Sequence, residues 1–297
     1  MKILAFDVGG SSVKYAVIDE AGTILTKDKK PTPETRDGFF ALAGEIASLF
    51  AGQYVFSGAA FSFPGAVDDA SGVIGGASAI PYIHDFPMRQ ELEARLALPV
   101  AMENDANCAA LGESWLGAGK GHDDMAFLVI GSGVGGAVVK EKKIHHGKHL
   151  HGGEFGFMVI GTDHRILSEL GSTRAVAEAV ADAKGVPHDE MDGEKAFALA
   201  EAGDKDAEDA VEAMQEALAR AAYDIQYSID PEVIVLGGAV SERPGFAEGI
   251  QQKIDRILKD VEIAHIRPVV AAAQHGNDAN LLGAVRNLLD KMAVGKK

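Results

Sequence analysis

Apolar positions fall in short blocks near the N-terminus and again past residue 125, and the two stretches share one layout. Residues 3 to 19 (ILAFDVGGSSVKYAVID) and 126 to 140 (AFLVIGSGVGGAVVK) each read as an apolar strand, a turn rich in Gly and Ser, and a second strand with β-branched residues. A third strand is expected near residues 23 to 26. Residues 37 to 50 then put Phe39, Leu42, Ala43, Ile46, Leu49 and Phe50 on one helical face. Residues 59 to 63 read as a buried strand ending at Pro64-Gly65. A helix near residues 89 to 98 leads through Pro99 into a short strand, 100 to 103, and Asp105 sits where a helix through Trp115 begins.

The second half carries long helices. The clearest spans 207 to 229, where Ala207, Val211, Met214, Leu218, Ala221, Ile225 and Ile229 recur at helical spacing until Pro231 stops them. A buried strand, 233 to 236, runs into Gly237-Gly238-Ala239. An amphipathic helix through Phe246, Ile250, Ile254 and Ile257 follows, then a strand near 268 to 272 and a last helix from about 280 to 292. Strands mixed with helices throughout give an α/β class. The segment 117 to 121 (GAGKG) has the look of a hinge. The expected division is therefore 1–117, completed by a C-terminal helix in 280–297, and 118–279.

At 297 residues with 47% hydrophobic content, the chain can bury a sizeable core and suits two domains. The net charge of −16 argues against nucleic acid and anionic membranes, which bind through clustered Lys and Arg. Any phosphate must then be held locally, by loops and metal. Cys108 is the only cysteine, so neither an internal disulfide nor a Cys-built metal cluster forms within one chain, which fits a reducing cytosol. The first apolar run is broken by Asp7, and no other approaches the roughly 20 residues of a membrane span. A cytoplasmic location is expected.

The two Gly-rich turns suggest loops facing one polyphosphate, because Gly lets backbone N–H groups approach an anion closely. Ordinary hairpins are the plain alternative. Only the first turn follows an acid, Asp7, which suggests a metal-assisted role. Gly131, Gly133 and Gly136 satisfy a dinucleotide fingerprint formally, but that motif opens a helix, whereas Ala137-Val138-Val139 reads as strand. A P-loop fails too, since Gly121 follows Lys120 where Ser or Thr is needed. In the segment 103 to 113 (ENDANCAALGE), Asn104 and Asp105 stand at a strand-to-helix junction. Either caps the helix, worth roughly 1 kcal/mol, or Asp105 accepts a proton from an alcohol attacking a phosphoryl group. His145, His146, His149 and His151 crowd ahead of Glu154, but a Gly-rich loop sets no ligand geometry, which favours solvated or substrate-contacting roles over zinc. Residues 277 to 280 (NDAN) look like a helix cap with an optional ligand role.

Together these segments resemble the ROK family of bacterial sugar kinases and repressors, within the actin and hexokinase superfamily, over nearly the whole chain. Asp7-Val8-Gly9-Gly10-Ser11 with Lys14 looks like the family's first phosphate motif, D-x-G-G-T-x-x-K, with Ser for Thr. Residues 131 to 136 (GSGVGG) look like its second, G-T-G-I-G-G. Asn104-Asp105 matches the sugar-binding Asn and catalytic Asp, and Gly153-Glu154-Phe155-Gly156 matches a motif whose Glu contacts sugar hydroxyls. Residues 234 to 240 (IVLGGAV) resemble the adenosine motif, and 277 to 284 the C-terminal signature. Two departures stand out. Phe157 replaces the His of the family's structural zinc site and the zinc cysteines are missing, so no zinc is expected. Glu169 lies within one position of a Glu that reaches the sugar. This pattern, with residues 80 to 84 (IPYIH), resembles the branch of glucose, β-glucoside and N-acetylmannosamine kinases.

The resemblance implies a two-domain actin-like ATPase (ribonuclease H-like) fold with a cleft between the domains. It implies an ATP-dependent hexose kinase acting on a 6-hydroxyl, with N-acetylmannosamine or a β-glucoside as alternative acceptors. Asp105 would be the base; Asn104, Asp105, Gly65, Glu154, His151 and Glu169 would meet the sugar. Gly9, Gly10, Ser11, Ser12, Lys14, Gly131, Ser132 and Gly133 would hold the ATP phosphates, with Asp7 placing Mg²⁺ and Gly237, Gly238 and Ala239 lining the adenosine pocket. A homodimer is a candidate assembly. The rivals are a sugar-responsive repressor, whose DNA-binding domain would precede Ile3, and an actin-like ATPase with no sugar acceptor.

Overall fold

The computed structural model describes residues 1–294. In chain order it contains β1 (Lys2–Val8), β2 (Ser12–Asp19), β3 (Ile24–Pro31), α1 (Arg36–Phe50), β4 (Gly58–Phe63), β5 (Ala66–Asp68), β6 (Val73–Gly75), α2 (Met88–Leu96), β7 (Val100–Asn104) and α3 (Asp105–Leu116). There follow β8 (Met125–Ile130), β9 (Val134–Lys140), β10 (Lys143–Ile144), α4 (Leu167–Leu170), α5 (Thr173–Lys184), α6 (Gly193–Glu201), α7 (Lys205–Ile229), β11 (Val233–Gly237), α8 (Phe246–Asp260), β12 (Val270–Ala272) and α9 (Ala279–Val294). The chain forms two compact units. One comprises Met1–Gly117, His146–His151 and the chain from Asn277 onward; the other comprises Ala118–His145 and Gly152–Gly276.

In the first unit the strand order is β3-β2-β1-β4-β7, with β1 antiparallel to β2 and parallel to β4. Alternation along β1 sends side chains to opposite faces. Leu4, Phe6 and Val8 join the aromatic layer with Phe39, Phe61 and Phe63, while Ile3 and Ala5 meet Cys108 of α3 and Leu281, Val285 and Leu288 of α9. Phe6 and Phe61 stack with centroids 4.5 Å apart, fixing the register of β1 on β4 from the side. In the second unit the order is β10-β9-β8-β11-β12, again a hairpin followed by parallel partners. Its core gathers Leu128, Ile130, Ile234 and Leu236 from the sheet with Met214, Leu218 and Ile225 of α7 and Ile250 and Ile254 of α8.

Several boundaries differ from the sequence reading for identifiable reasons. The third strand runs to Pro31, because Lys27, Asp28, Lys29 and Lys30 decorate an exposed sheet edge, where charge replaces the apolar signal. Leu49 is 61% exposed, so the buried stripe of α1 is Phe39, Phe40, Ala43 and Ile46. α2 ends at Leu96 because Ala97 takes a left-handed conformation, φ 52°. The hairpin of β5 and β6 has three residues per strand, too few for a period to register.

Candidate active site

In the first unit, strand ends and helix starts bring a polar group together. Asp7 is 8% exposed at the end of β1, beside Lys14 on β2 and Ser62 on β4 in register. Its Oδ1 accepts from Ser62 Oγ at 2.9 Å and from Asn280 Nδ2 at 3.2 Å, and its Oδ2 takes Lys14 Nζ at 3.2 Å. Lys14 also reaches Asn277 Oδ1 at 3.3 Å, and Lys27 pairs with Asp278 at 2.7 Å. Residues 277 to 280 thus tie the start of α9 to the first hairpin. In the turn after Asp7, Gly9 N–H donates to Ser12 O and Thr32 Oγ1 braces Gly9 O, leaving Gly10 and Ser11 exposed.

At the β7–α3 junction, the capping duty falls to Asn104. Its Oδ1 accepts from Asn107 N–H at 3.1 Å, while its Nδ2 donates to Gly65 O at 3.0 Å. Gly65 has φ 101°, a conformation glycine adopts without strain, so its carbonyl is presented to Asn104. Asp105 is the first helical residue, and its Oδ1 accepts from Ala106 N–H at 2.8 Å. A carboxylate there is also favoured by the helix dipole, by roughly 0.3–1 kcal/mol. Beneath it, burial pushes the Cys108 thiol well up, and the carboxylates of Glu103, Asp7 and Asp105 act in the same direction. Sequence reasoning passed over Glu103. It is 2% exposed and receives Asn107 Nδ2 at 2.9 Å and His146 Nε2 at 2.7 Å. No local pattern links His146 to Glu103, since the two are 43 positions apart.

The second unit supplies the other hairpin. Gly131 N–H donates to Gly133 O, and Gly131 O accepts from both the N–H and the hydroxyl of Thr173, at 2.9 and 2.8 Å. Ser168 of α4 bridges both backbone groups of Val134, at 3.0 and 3.1 Å. A Cβ built on Gly131 would meet nothing within 4 Å, so packing does not demand glycine there and room is left over the turn. In the segment 153 to 156, a Cβ on Gly156 would fall 1.8 Å from Val134 O, which presses this turn onto β9 and leaves Glu154 exposed. Glu169 is exposed and its Oε2 accepts from Ile166 N–H at 3.1 Å, a local use of that carboxylate. His151, in the first unit, keeps its Nδ1 2.6 Å from His149 O. Gly238 has φ 90°, and a Cβ on it would come 2.0 Å from Ile130 O, so the turn after β11 packs on the end of β8. Just past Ala239, Ser241, Arg243, Gln251, Val270 and Ala273 line part of a cavity of about 520 Å³. Among the described residues, no three or more His, Cys, Asp or Glu gather in a metal-holding group, and no helix is long and apolar enough to cross a membrane.

The ROK family model matches residues 3–291. A β-glucoside kinase from Listeria monocytogenes serovar 1/2a is 33% identical over 98% of both chains. The crystal structure of a ROK family protein from Streptococcus pneumoniae TIGR4, in complex with sucrose, superposes with a TM-score of 0.91 at 36% identity, covering 99% of this chain and 100% of that one. A ROK family glucokinase from Streptomyces griseus, in complex with glucose and AMPPNP, gives 0.78 at 27%, covering 96% and 98%. The fold is the two-domain actin-like ATPase fold of the ROK sugar kinases, and on a match running from the first strand into the last helix the chain belongs to the ROK family.

Proposed function

We propose that this chain is an ATP-dependent hexose kinase that moves the γ-phosphoryl group of ATP to the 6-hydroxyl of a glucose-like sugar. The observation that carries the base assignment is the division of labour at the start of α3. Asn104 provides the cap, so Asp105 need not be there for that purpose. In the reaction, Asp105 takes the proton of the sugar hydroxyl as its oxygen bonds to phosphorus, while the bond from phosphorus to the departing ADP breaks. Asn104, Glu154 and His151 are the proposed sugar-hydroxyl partners, with Gly65 holding the Asn104 amide in place.

The residues suit a nucleotide and a hard cation. The space over Gly131 is what close approach of a phosphate to backbone N–H groups needs. Asp7, held by Ser62 and Asn280, is a hard oxygen donor of the kind Mg²⁺ takes. When bound, Mg²⁺ supplies charge neutralisation on the β- and γ-phosphate oxygens. Lys14 gives a further positive charge, and Gly237, Gly238 and Ala239 are proposed to border the adenosine site.

The 33% identity to a β-glucoside kinase favours a second acceptor reading, in which the same 6-hydroxyl belongs to a β-linked glucosyl unit. A coupled assay of ADP release over glucose, N-acetylmannosamine, cellobiose and fructose tests both. Highest kcat/KM with glucose supports the first reading, and highest with cellobiose moves the acceptor to the second. ATP turnover that needs no sugar would overturn the kinase assignment.

A further inference from the structure

Glu103 has no part in the phosphoryl transfer just described, yet it is the most enclosed carboxylate at the β7–α3 junction apart from the chemistry, only 2% exposed. Burying a charge is costly unless it is paired and hydrogen-bonded. Here one oxygen, Oε1, accepts from the Asn104 backbone N–H at 2.8 Å and from Asn107 Nδ2 at 2.9 Å. The other, Oε2, faces His146 Nε2 at 2.7 Å. His146 begins the stretch His146–His151, which clusters with the first unit although the chain on both sides of it belongs to the second. The arrangement has a direction. His146 fixes the outer oxygen, which fixes the plane of the carboxylate, which fixes the peptide N–H of Asn104 and the side chain one turn into α3. Asp105 is the next residue.

Resting on the reading of Asp105 as the base, we propose that His146 is a positioning residue for this kinase: acting through Glu103, it holds Asn104 and Asp105 in the orientation that phosphoryl transfer requires. The stretch of histidines before Glu154 thereby gains one member with a defined partner.

The interaction is sensitive to pH. The hydrogen bond it donates to Glu103 raises the His146 pKa above the usual imidazole value, against an opposing effect of burial. The other charged groups acting on the ring are Asp69, after β5, and Lys291 of α9, themselves paired at 2.7 Å. A folded-state value above the unfolded one means that the pair is fully formed below about 6.5 and is lost as pH rises through the raised value. Turnover should therefore fall on the alkaline side as the imidazolium is lost.

The test is kcat and sugar KM from pH 5.5 to 9 for the wild type, His146→Gln and His146→Ala, with melting curves for each and an NMR titration of the wild-type histidines. The expected results are a kcat for His146→Ala lower by about tenfold or more, with sugar KM changed by less than about threefold, since small misplacements of a catalytic group act on rate. His146→Gln, which keeps a hydrogen-bond donor but not the positive charge, should recover only part of that loss and show no alkaline fall. His146→Ala within about twofold of wild type, or an alkaline fall persisting in His146→Gln, overturns the proposal. Should His146→Ala not fold, a wild-type His146 pKa at or below about 6.5 overturns it as well. A wild type inactive on every sugar would instead refute the kinase reading.

Discussion

Asp7 and Lys14 are neighbours across one hairpin, and the first is nearly buried while the second is about one-third exposed. Lys14 thus balances a carboxylate that water scarcely reaches, and it is the cation proposed for the ATP phosphates. Lys14→Met should lower kcat/KM for ATP by roughly 10- to 100-fold, the worth of about 1.5–3 kcal/mol for a hydrogen bond to a charged group. Steady-state kinetics with ATP varied at saturating sugar checks this; an unchanged value would remove Lys14 from the phosphate site. Asp7, Asn104 and Asp105 stood out in the sequence because each lies at a turn or cap that local chemistry marks, whereas Lys14 was picked out by the resemblance. The pairing of Glu103 with His146 did not stand out, since it is made by the return of a distant loop. The NDAN segment is intermediate: its residues looked like a cap, whereas Asn277, Asp278 and Asn280 reach Lys14, Lys27 and Asp7.

Among the elements, α3 and α9 cross with almost no space between backbones. A Cβ on Gly283 would sit 1.6 Å from Cys108 O, and one on Gly112 would sit 2.3 Å from Ala279 O. α9 is also held at its start by Asn280, which donates to Asp7. Gly283→Ala should therefore destabilise by at least about 1–3 kcal/mol, the usual cost of overpacking. Gly44→Ala is the contrasting change. A Cβ there meets nothing within 4 Å in the interior of α1, so a gain of about 0.5–1 kcal/mol is expected from the helix preference of alanine. Chemical denaturation of both variants checks the pair, and equal stabilities would contradict the close crossing. The long helices were plain from their apolar period, as in α7, where Met214, Leu218 and Ile225 are all buried. The edge strands β3 and β12 were expected but their ends were not, because β3 faces water with charged side chains and β12 is only three residues long.

Across the whole molecule, the two five-stranded sheets repeat one order, a hairpin leading into parallel strands, and each of their hairpin turns is braced by groups from outside its own strands. That duplication was visible as two Gly-rich hairpins, while the strand orders were not, because parallel partners are set by crossovers far apart in sequence. The missing zinc ligands also act at this scale. Phe157 is 68% exposed and Cys108 is buried, so the dialysed protein should carry no stoichiometric zinc by elemental analysis, and one zinc per chain would reveal a histidine site. The central claim is that Asp105 takes the proton from the sugar. Its most direct test is kcat for Asp105→Asn, with melting temperature and sugar affinity measured on the same sample. The amide keeps the shape of the carboxyl but cannot accept the proton, so kcat should fall by about 10²- to 10⁴-fold while the protein melts normally and binds sugar within a modest factor of wild type. A variant retaining more than about a tenth of wild-type kcat would contradict the claim.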